Sequence, residues 1–307
     1  MTLFFRPYRS EYDYYRIREF LSQTLLLHDR RQINWAPYRW DYWRWHTNEN
    51  ILHLKLSEVV NLWETDDREL IGVLNLVKPD EVFLQIHPRY RTPHLVREML
   101  ERAEWVYSPK HSLGHMLHVW AYDGDEVLIE ALGERGYQKT SHFEYQYRQM
   151  LNTPVQELST PQGFKIRPIL GDSELPAQSW AFFKAFQPEQ PEDQYKGWQW
   201  YRSVQRIPAY RQEFDLVAVT PEGEIASFAT VWYDESTRTG AFEPVGAVPI
   251  YCGKGLVEAL IVEGLRRLQQ AGAVVAYANG SAYDAHTIPA STGFTQFDRS
   301  ELWVETV

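Results

Sequence analysis

The stretch that decides the fold is Val248–Val257, Val-Pro-Ile-Tyr-Cys-Gly-Lys-Gly-Leu-Val, and an apolar helical run follows it. A strand ends before this stretch, two glycines form a tight turn, and a helix is predicted to begin at about Leu256. The first N–H groups of a helix have no partner inside the helix, so the turn offers backbone donors to an anion. Gly253 and Gly255 let the main chain approach a phosphate closely, and Lys254 adds a positive charge. The stretch therefore predicts an anion-binding loop.

The sequence repeats itself across its two halves, which predicts two domains of one fold. The matching segments keep their order. They are Phe5-Arg6-Pro7 with Ile166-Arg167-Pro168, His87–Val96 with Val248–Val257, and Gly136-Tyr137 with Gly293-Phe294, at offsets of 161, 161 and 157 residues. A length of 307 residues suits two domains, which we place at 1–151 and 163–307, joined by a polar linker at 152–162.

The second half resembles the Gcn5-related N-acetyltransferase superfamily over about residues 163–305. Phe242–Pro249 is similar to the central strand of that family where it enters the pyrophosphate loop, and Thr292-Gly293-Phe294 is similar to the end of its last helix. Phe164–Pro168 is similar to its first strand. The resemblance implies an α+β (α/β) fold of two tandem acyl-CoA N-acyltransferase-like domains. Each would be a mixed, mostly antiparallel twisted sheet flanked by helices.

The reaction of this family moves an acetyl group from acetyl-CoA to an amine. The resemblance implies that the second domain binds acetyl-CoA as a cosubstrate through a strand edge and the loop after it. The edge is Val245, Gly246, Ala247 and Val248, and the loop is Cys252, Gly253, Lys254, Gly255, Leu256 and Val257. It also implies that Glu243, on the same strand, deprotonates the amine. In the alternative interpretation, Glu243 is an ordinary solvated strand residue.

Two departures from the family pattern bear on activity. In the first half Thr92-Pro93-His94 replaces the glycine turn; proline removes a backbone donor and side chains block a phosphate, so this copy is predicted to be degenerate. In the second half Pro289 occupies the position of the tyrosine that usually protonates the departing thiolate, and Tyr283 and Tyr251 are candidate substitutes. The alternative to an enzyme is therefore an acyl-CoA-binding regulatory or sensor protein with impaired catalysis.

Aromatic residues are expected to border the acceptor site. The second helix of the family lies beside that site, so we expect Trp198 and Tyr201, and also Trp232, to contact a small-molecule amine. The alternative is that these rings pack on the sheet. The dense aromatic run Trp35–Trp45 in the first half is predicted to be structural.

Composition excludes several other classes of protein. A net charge of −10 argues against a nucleic-acid binder, and no apolar stretch is long enough to span a membrane. A single cysteine and an N-terminus without a signal-peptide pattern predict a cytoplasmic protein, either monomer or homodimer. No metal is expected, because His115 and His118 would point to opposite faces of a strand and His111 lies in a loop.

Overall fold

The structure is a computed structural model that describes residues 3–107, 116–281 and 292–305. The chain divides into two compact units. The first contains Met1–Trp43, Thr47–Gln146 and Asp298–Val307, and the second contains Arg44–His46 and Tyr147–Phe297. Strand β6, Tyr137–Met150, includes the boundary between the units.

The first unit is a mixed sheet with helices. Its other strands are β1 Leu3–Pro7, β2 Val60–Thr65, β3 Leu70–Lys78, β4 Glu81–Ile86, β5 His118–Tyr122 and the late strand β12 Gln296–Glu305. They lie in the order β1-β2-β3-β4-β5-β12, and only the β4–β5 pair is parallel. The helices are α1 Glu11–Leu27, α2 Pro37–Tyr42, α3 Leu56–Val59, α4 Pro93–Tyr107 and α5 Glu126–Glu134, and a π-helical segment, Trp43–Leu52, follows α2.

The second unit repeats this plan. Its strands are β7 Lys165–Pro168, β8 Asp215–Val219, β9 Ile225–Asp234, β10 Thr239–Ala247 and β11 Val275–Ser281, in the order β11-β10-β9-β8-β7. Only β10 and β11 run parallel. The described helices are α6 Leu175–Phe186, α7 Tyr201–Gln205 and α8 Leu256–Gln270. The predicted fold class is confirmed: mostly antiparallel sheet flanked by helices.

One local contact shows the internal repeat at atomic detail. In the first unit Arg6 on β1 bonds both carboxylate oxygens of Asp13, at 2.8 and 2.7 Å, and Asp13 also accepts the Arg9 N–H. In the second unit Arg167 on β7 bonds both oxygens of Glu174, which also accepts the Leu170 N–H at 2.7 Å. The same ion pair thus ties the first strand of each unit to the start of its first helix.

Helix α8 is amphipathic, and its apolar face forms much of the core of the second unit. Leu260, Ile261, Leu265 and Leu268 are fully buried in one cluster with residues of β8, β9, β10 and β11. Burial of each such side chain contributes roughly 1.5–3 kcal/mol. This packing fixes the N-terminus of α8 beside the end of β10.

The structure differs from the predicted domain bounds at the last strand. Strand β12 pairs with β5, with Leu302 opposite Trp120, so Asp298–Val307 belongs to the first unit although the predicted bounds put it in the second. Helix α7 begins only at Tyr201, because Gly197 adopts φ of +88° and prevents a helix from starting earlier.

The aromatic run of the first half is structural, as predicted. Trp35, Trp40 and Trp43 are at most 3% exposed, and the rings of Trp40 and Trp43 stack at 5.3 Å. Such rings bury large apolar areas, so the run serves as core.

Candidate functional site

Strands β10 and β11 diverge in the middle of the second unit. The two strands pair in parallel from Thr239 opposite Val275 to Phe242 opposite Ala278, and not beyond. Strand β10 continues to pair with β9 through Ala247, after a register shift between Phe242 and Val245. One edge of β10 is therefore open over its last residues.

The open edge carries defined hydrogen-bonding groups. The Val248 N–H donates to Ala226 O on the β9 side at 2.9 Å. Backbone groups of an antiparallel strand alternate between its two edges, so Val245 and Ala247 direct their N–H and C=O groups away from β9. The Gly246 carbonyl instead points towards β9, where it accepts a hydrogen bond of 2.7 Å from the Ser227 hydroxyl. No strand pairs with the Val245–Ala247 edge in the part of the chain that the structure describes.

The loop after this edge leads directly into α8. Gly255 caps the helix with φ of +75°, and Gly253 has φ of +73°, values that favour glycine. Within the described ranges, the backbone N–H groups of Gly253, Lys254 and Gly255 donate no hydrogen bond. Leu256 is buried as the first helical residue and Val257 is half-buried. The predicted anion-binding geometry of a glycine turn before a helix is present.

Side chains around the loop leave a positive charge exposed. The Lys254 ammonium lies 5.2 Å from the Tyr251 ring centre and 5.8 Å from that of Phe164, and no described carboxylate pairs with it. The Tyr251 hydroxyl donates to Glu224. The exposed Cys252 thiol lies 3.8 Å from the Ala247 carbonyl oxygen. An anion at this loop would meet one exposed cation and several backbone donors.

Glu243 lies where β10 leaves β11, immediately after the last paired residue. Its carbonyl oxygen accepts a hydrogen bond of 2.6 Å from the Trp232 indole, and its Oε2 atom is shielded from solvent. Tyr283 and Pro289, two of the other residues that the sequence connects with proton transfer, lie outside the described residues. The structure thus places one candidate base at the divergence of the strands.

The residues predicted to contact an acceptor are mostly interior. Tyr201 and Trp232 are each 1% exposed, and Trp198 is half-buried against the cluster that contains Tyr201. Contact of these three residues with a substrate stays a prediction.

A buried acid that sequence reasoning missed lies beneath these rings. Tyr201 and Tyr210 donate to one oxygen of Asp215 at 2.9 and 3.0 Å, and Thr230 donates to the other at 3.1 Å. Burial raises the pKa of Asp215 to about 6, although these hydrogen bonds work to lower it. The only signal in the sequence was an acidic residue at the start of an otherwise apolar strand.

The first unit has the same strand divergence, but its edge is filled. Strands β4 and β5 pair only as far as Phe83 opposite Trp120. Beyond that point, the Asn34 carboxamide donates to Ile86 O at 3.0 Å and accepts the Ile86 N–H at 3.1 Å. Trp35 N–H also donates to the Gln85 side chain at 2.8 Å. At the repeat offset of 161 residues, Ile86 corresponds to Ala247 of the second unit.

The loop of the first unit is likewise closed by its own side chains. Thr92 caps α4 by accepting the Leu95 N–H at 3.3 Å, and Pro93 is the first helical residue. Arg91 is bound to Asp125 in an ion pair. The donors that the second unit leaves open are therefore replaced or satisfied here.

Two further classes of site are absent from the described residues. No group of three or more His, Cys, Asp or Glu side chains there could hold a metal ion, and His111 and His115 fall outside those residues. None of the described helices is long and apolar enough to cross a membrane.

Comparison with known proteins finds a similar acetyltransferase. No protein-family model matches the sequence. A curated relative, mycothiol acetyltransferase from Paenarthrobacter aurescens (strain TC1), is 28% identical over 241 residues, or 72% of this chain and 68% of the relative.

Solved structures match over nearly the whole chain. A GCN5-related N-acetyltransferase from Sphaerobacter thermophilus gives a TM-score of 0.66 at 17% identity, covering 98% of this chain and 95% of that protein. A tandem protein of the same family, from the clavulanic acid biosynthesis pathway, gives 0.66 at 14% identity, with 99% and 98% covered. The chain therefore has the tandem fold of the Gcn5-related N-acetyltransferase superfamily.

Proposed function

We propose that this protein is an N-acetyltransferase that moves an acetyl group from acetyl-CoA to an amine, with its active site in the second unit. The observation that carries the proposal is the open edge Val245–Ala247, which runs directly into the glycine turn at the N-terminus of α8. The similarity to mycothiol acetyltransferase supports acyl transfer as the type of reaction.

The first unit supplies an internal analogue of the ligand. There the Ile86 N–H and C=O hold one carboxamide, that of Asn34, at 3.1 and 3.0 Å. Ala247 offers the equivalent pair of groups with nothing from the described strands paired to it. Because the pantetheine arm of coenzyme A contains amide groups, it presents the donor and acceptor that such an edge requires.

The loop suits the other end of the same molecule. The N–H groups of Gly253, Lys254 and Gly255 and the first turn of α8 offer donors to a pyrophosphate, and the Lys254 ammonium adds a charge. Edge and loop follow each other without a break along the chain. One extended, anionic, amide-containing ligand would therefore engage both.

The chemistry requires one base close to the thioester. In the proposed reaction the amine nitrogen attacks the thioester carbonyl, a C–N bond forms, and the C–S bond breaks. Glu243 accepts the proton that the nitrogen loses, and coenzyme A leaves as a thiolate that takes a proton from solvent or from an unassigned acid. A thiol pKa near 8.5 makes the thiolate an adequate leaving group.

The first unit is proposed to be a degenerate copy that does not bind acetyl-CoA. Asn34 fills its strand edge, Thr92 caps its helix, and Pro93 offers no N–H. The unit would then have a structural role.

Calorimetric titration with acetyl-CoA tests the assignment to the second unit. We expect one site per chain in the wild type and none in Gly255→Glu, which puts a carboxylate where the pyrophosphate would lie. Gly272→Glu is the matched control, because Gly272 also has positive φ, +92°, but follows the C-terminus of α8. Binding that survives Gly255→Glu, or two sites per chain, would refute the assignment.

A second function is favoured by one observation. Pro289 cannot donate a proton at the position where the family usually has a tyrosine. If acetyl-CoA binds at one site but no amine in a broad panel is acetylated, the protein is better described as an acyl-CoA-binding regulator.

A further inference from the structure

The residue on β11 that follows the last β10–β11 pair has an unused buried oxygen. Asn279 comes directly after Ala278, the partner of Phe242. Its Oδ1 atom is inaccessible to solvent and has no hydrogen-bond donor among the described residues. A buried amide oxygen without a donor is unfavourable, so an N–H group from outside the described chain would stabilise it.

The register places Asn279 beside the candidate base. Glu243 and Asn279 are the next residues after the paired Phe242 and Ala278 on neighbouring parallel strands. Phe242 and Ala278 both belong to the core cluster that contains α8. Because consecutive strand residues alternate between faces, Glu243 and Asn279 fall on the opposite face, at the point where the strands separate.

The same step in the first unit is apolar. At the offset of 161 residues that matches Ile86 with Ala247, Glu243 corresponds to Val82, which pairs with Val119 on β5, and both valines are fully buried. A carboxylate and a carboxamide at this step therefore occur only in the unit whose edge and loop are open.

We propose that Asn279 binds and orients the acceptor amine next to Glu243. The Asn279 Oδ1 accepts one N–H of the amine, and Glu243 takes the proton that the nitrogen loses as the C–N bond forms. A primary amine has enough N–H groups for both contacts and a secondary amine does not, so the site selects primary amines over secondary ones. This inference rests on the proposed acetyltransferase function.

The test measures steady-state acetylation of phenethylamine, glucosamine and cysteine by the full chain. Asn279→Leu keeps the side-chain size but removes the oxygen, and we expect kcat/KM for the amine to fall roughly ten- to hundredfold. The affinity for acetyl-CoA, measured by calorimetry, should stay within about twofold, because the lost contact is to the amine only. Asn279→Asp keeps an acceptor oxygen and should retain most of the amine affinity.

The matched control is Asn75→Leu, which removes a buried carboxamide from the first unit. Asn75 is 1% exposed and bonds the Leu76 carbonyl at 3.1 Å. It should lower stability without changing the KM for the amine. If Asn279→Leu binds acetyl-CoA but keeps amine kcat/KM within about threefold of wild type, the role of Asn279 is wrong while the proposed function stands. If the wild type acetylates none of the amines, the role of Asn279 and the proposed acetyltransferase function are both wrong.

Discussion

The Asn34 carboxamide offers a quantitative test of how the first unit is closed. It is 2% exposed, and the Ile86 backbone groups that it bonds are fully buried. Asn34→Leu leaves a buried N–H and a buried C=O unsatisfied, at about 1–3 kcal/mol each. We therefore expect the free energy of unfolding to fall by about 2–5 kcal/mol, since relaxation and the added apolar contact offset part of the loss.

Asn48→Leu provides a matched comparison. Asn48 also uses its carboxamide to bond both backbone groups of one residue, Leu54, at 3.1 and 3.0 Å. Leu54 is half-buried, so water can replace the lost bonds and we expect a loss of only about 1 kcal/mol.

Urea unfolding followed by tryptophan fluorescence measures both losses, because buried Trp35 adjoins Asn34. If Asn34→Leu lowers the free energy of unfolding no more than Asn48→Leu does, the Asn34 carboxamide does not stabilise the Ile86 strand edge as argued. The number of acetyl-CoA sites per chain should be the same in both variants.

Two further predictions concern the second unit. Burial raises the pKa of Asp215 to about 6, above the value of about 3.9 in the unfolded chain. Between these two pH values the folded chain binds more protons than the unfolded chain, so the free energy of unfolding falls as pH rises. Relative to Asp215→Asn, the wild type should lose about 2 kcal/mol between pH 4 and 7 in urea unfolding; equal pH profiles would contradict this. Gly264→Ala should destabilise, because a Cβ there would lie 2.5 Å from the Phe242 ring, and acetyl-CoA affinity should fall as β10 shifts. The same change at Gly133, which has open space around it, should stabilise by up to about 1 kcal/mol in thermal unfolding; a shift of the same sign at both glycines would show that packing is not the cause.

Local patterns in the sequence predicted much of the fold. Helix α8 begins at Leu256, the residue near which the sequence predicts its start. Its apolar spacing and the glycines before it are local properties, which a sequence displays directly. The glycine turn is predictable for the same reason, because glycine is the residue that adopts the positive φ seen at Gly253 and Gly255.

The features that escaped prediction depend on contacts between distant residues. Asn34 and Ile86 are 52 positions apart, and nothing around Asn34 indicates that its carboxamide would fill a strand edge. The buried Asp215 likewise becomes distinctive only once Tyr201, Tyr210 and Thr230 surround it. Asn279 stands out only through its strand register and its buried oxygen without a donor. Such pairings are set by the packing of the whole unit, and neither propensity nor spacing encodes them.

The pairing of β12 with β5 has a consequence for how the protein is made. The first unit needs Ser300–Val304 to cover the edge of β5, yet these residues are synthesised after the whole second unit. During translation the nascent first unit would expose an unpaired strand edge, a state prone to wrong pairing with other chains. A gene truncated at Phe297 should therefore yield aggregating product, and expressing 1–151 alone should not give an independently stable domain. The two units share one arrangement of strands and helices, but the second unit must be synthesised before β12 can complete the sheet of the first.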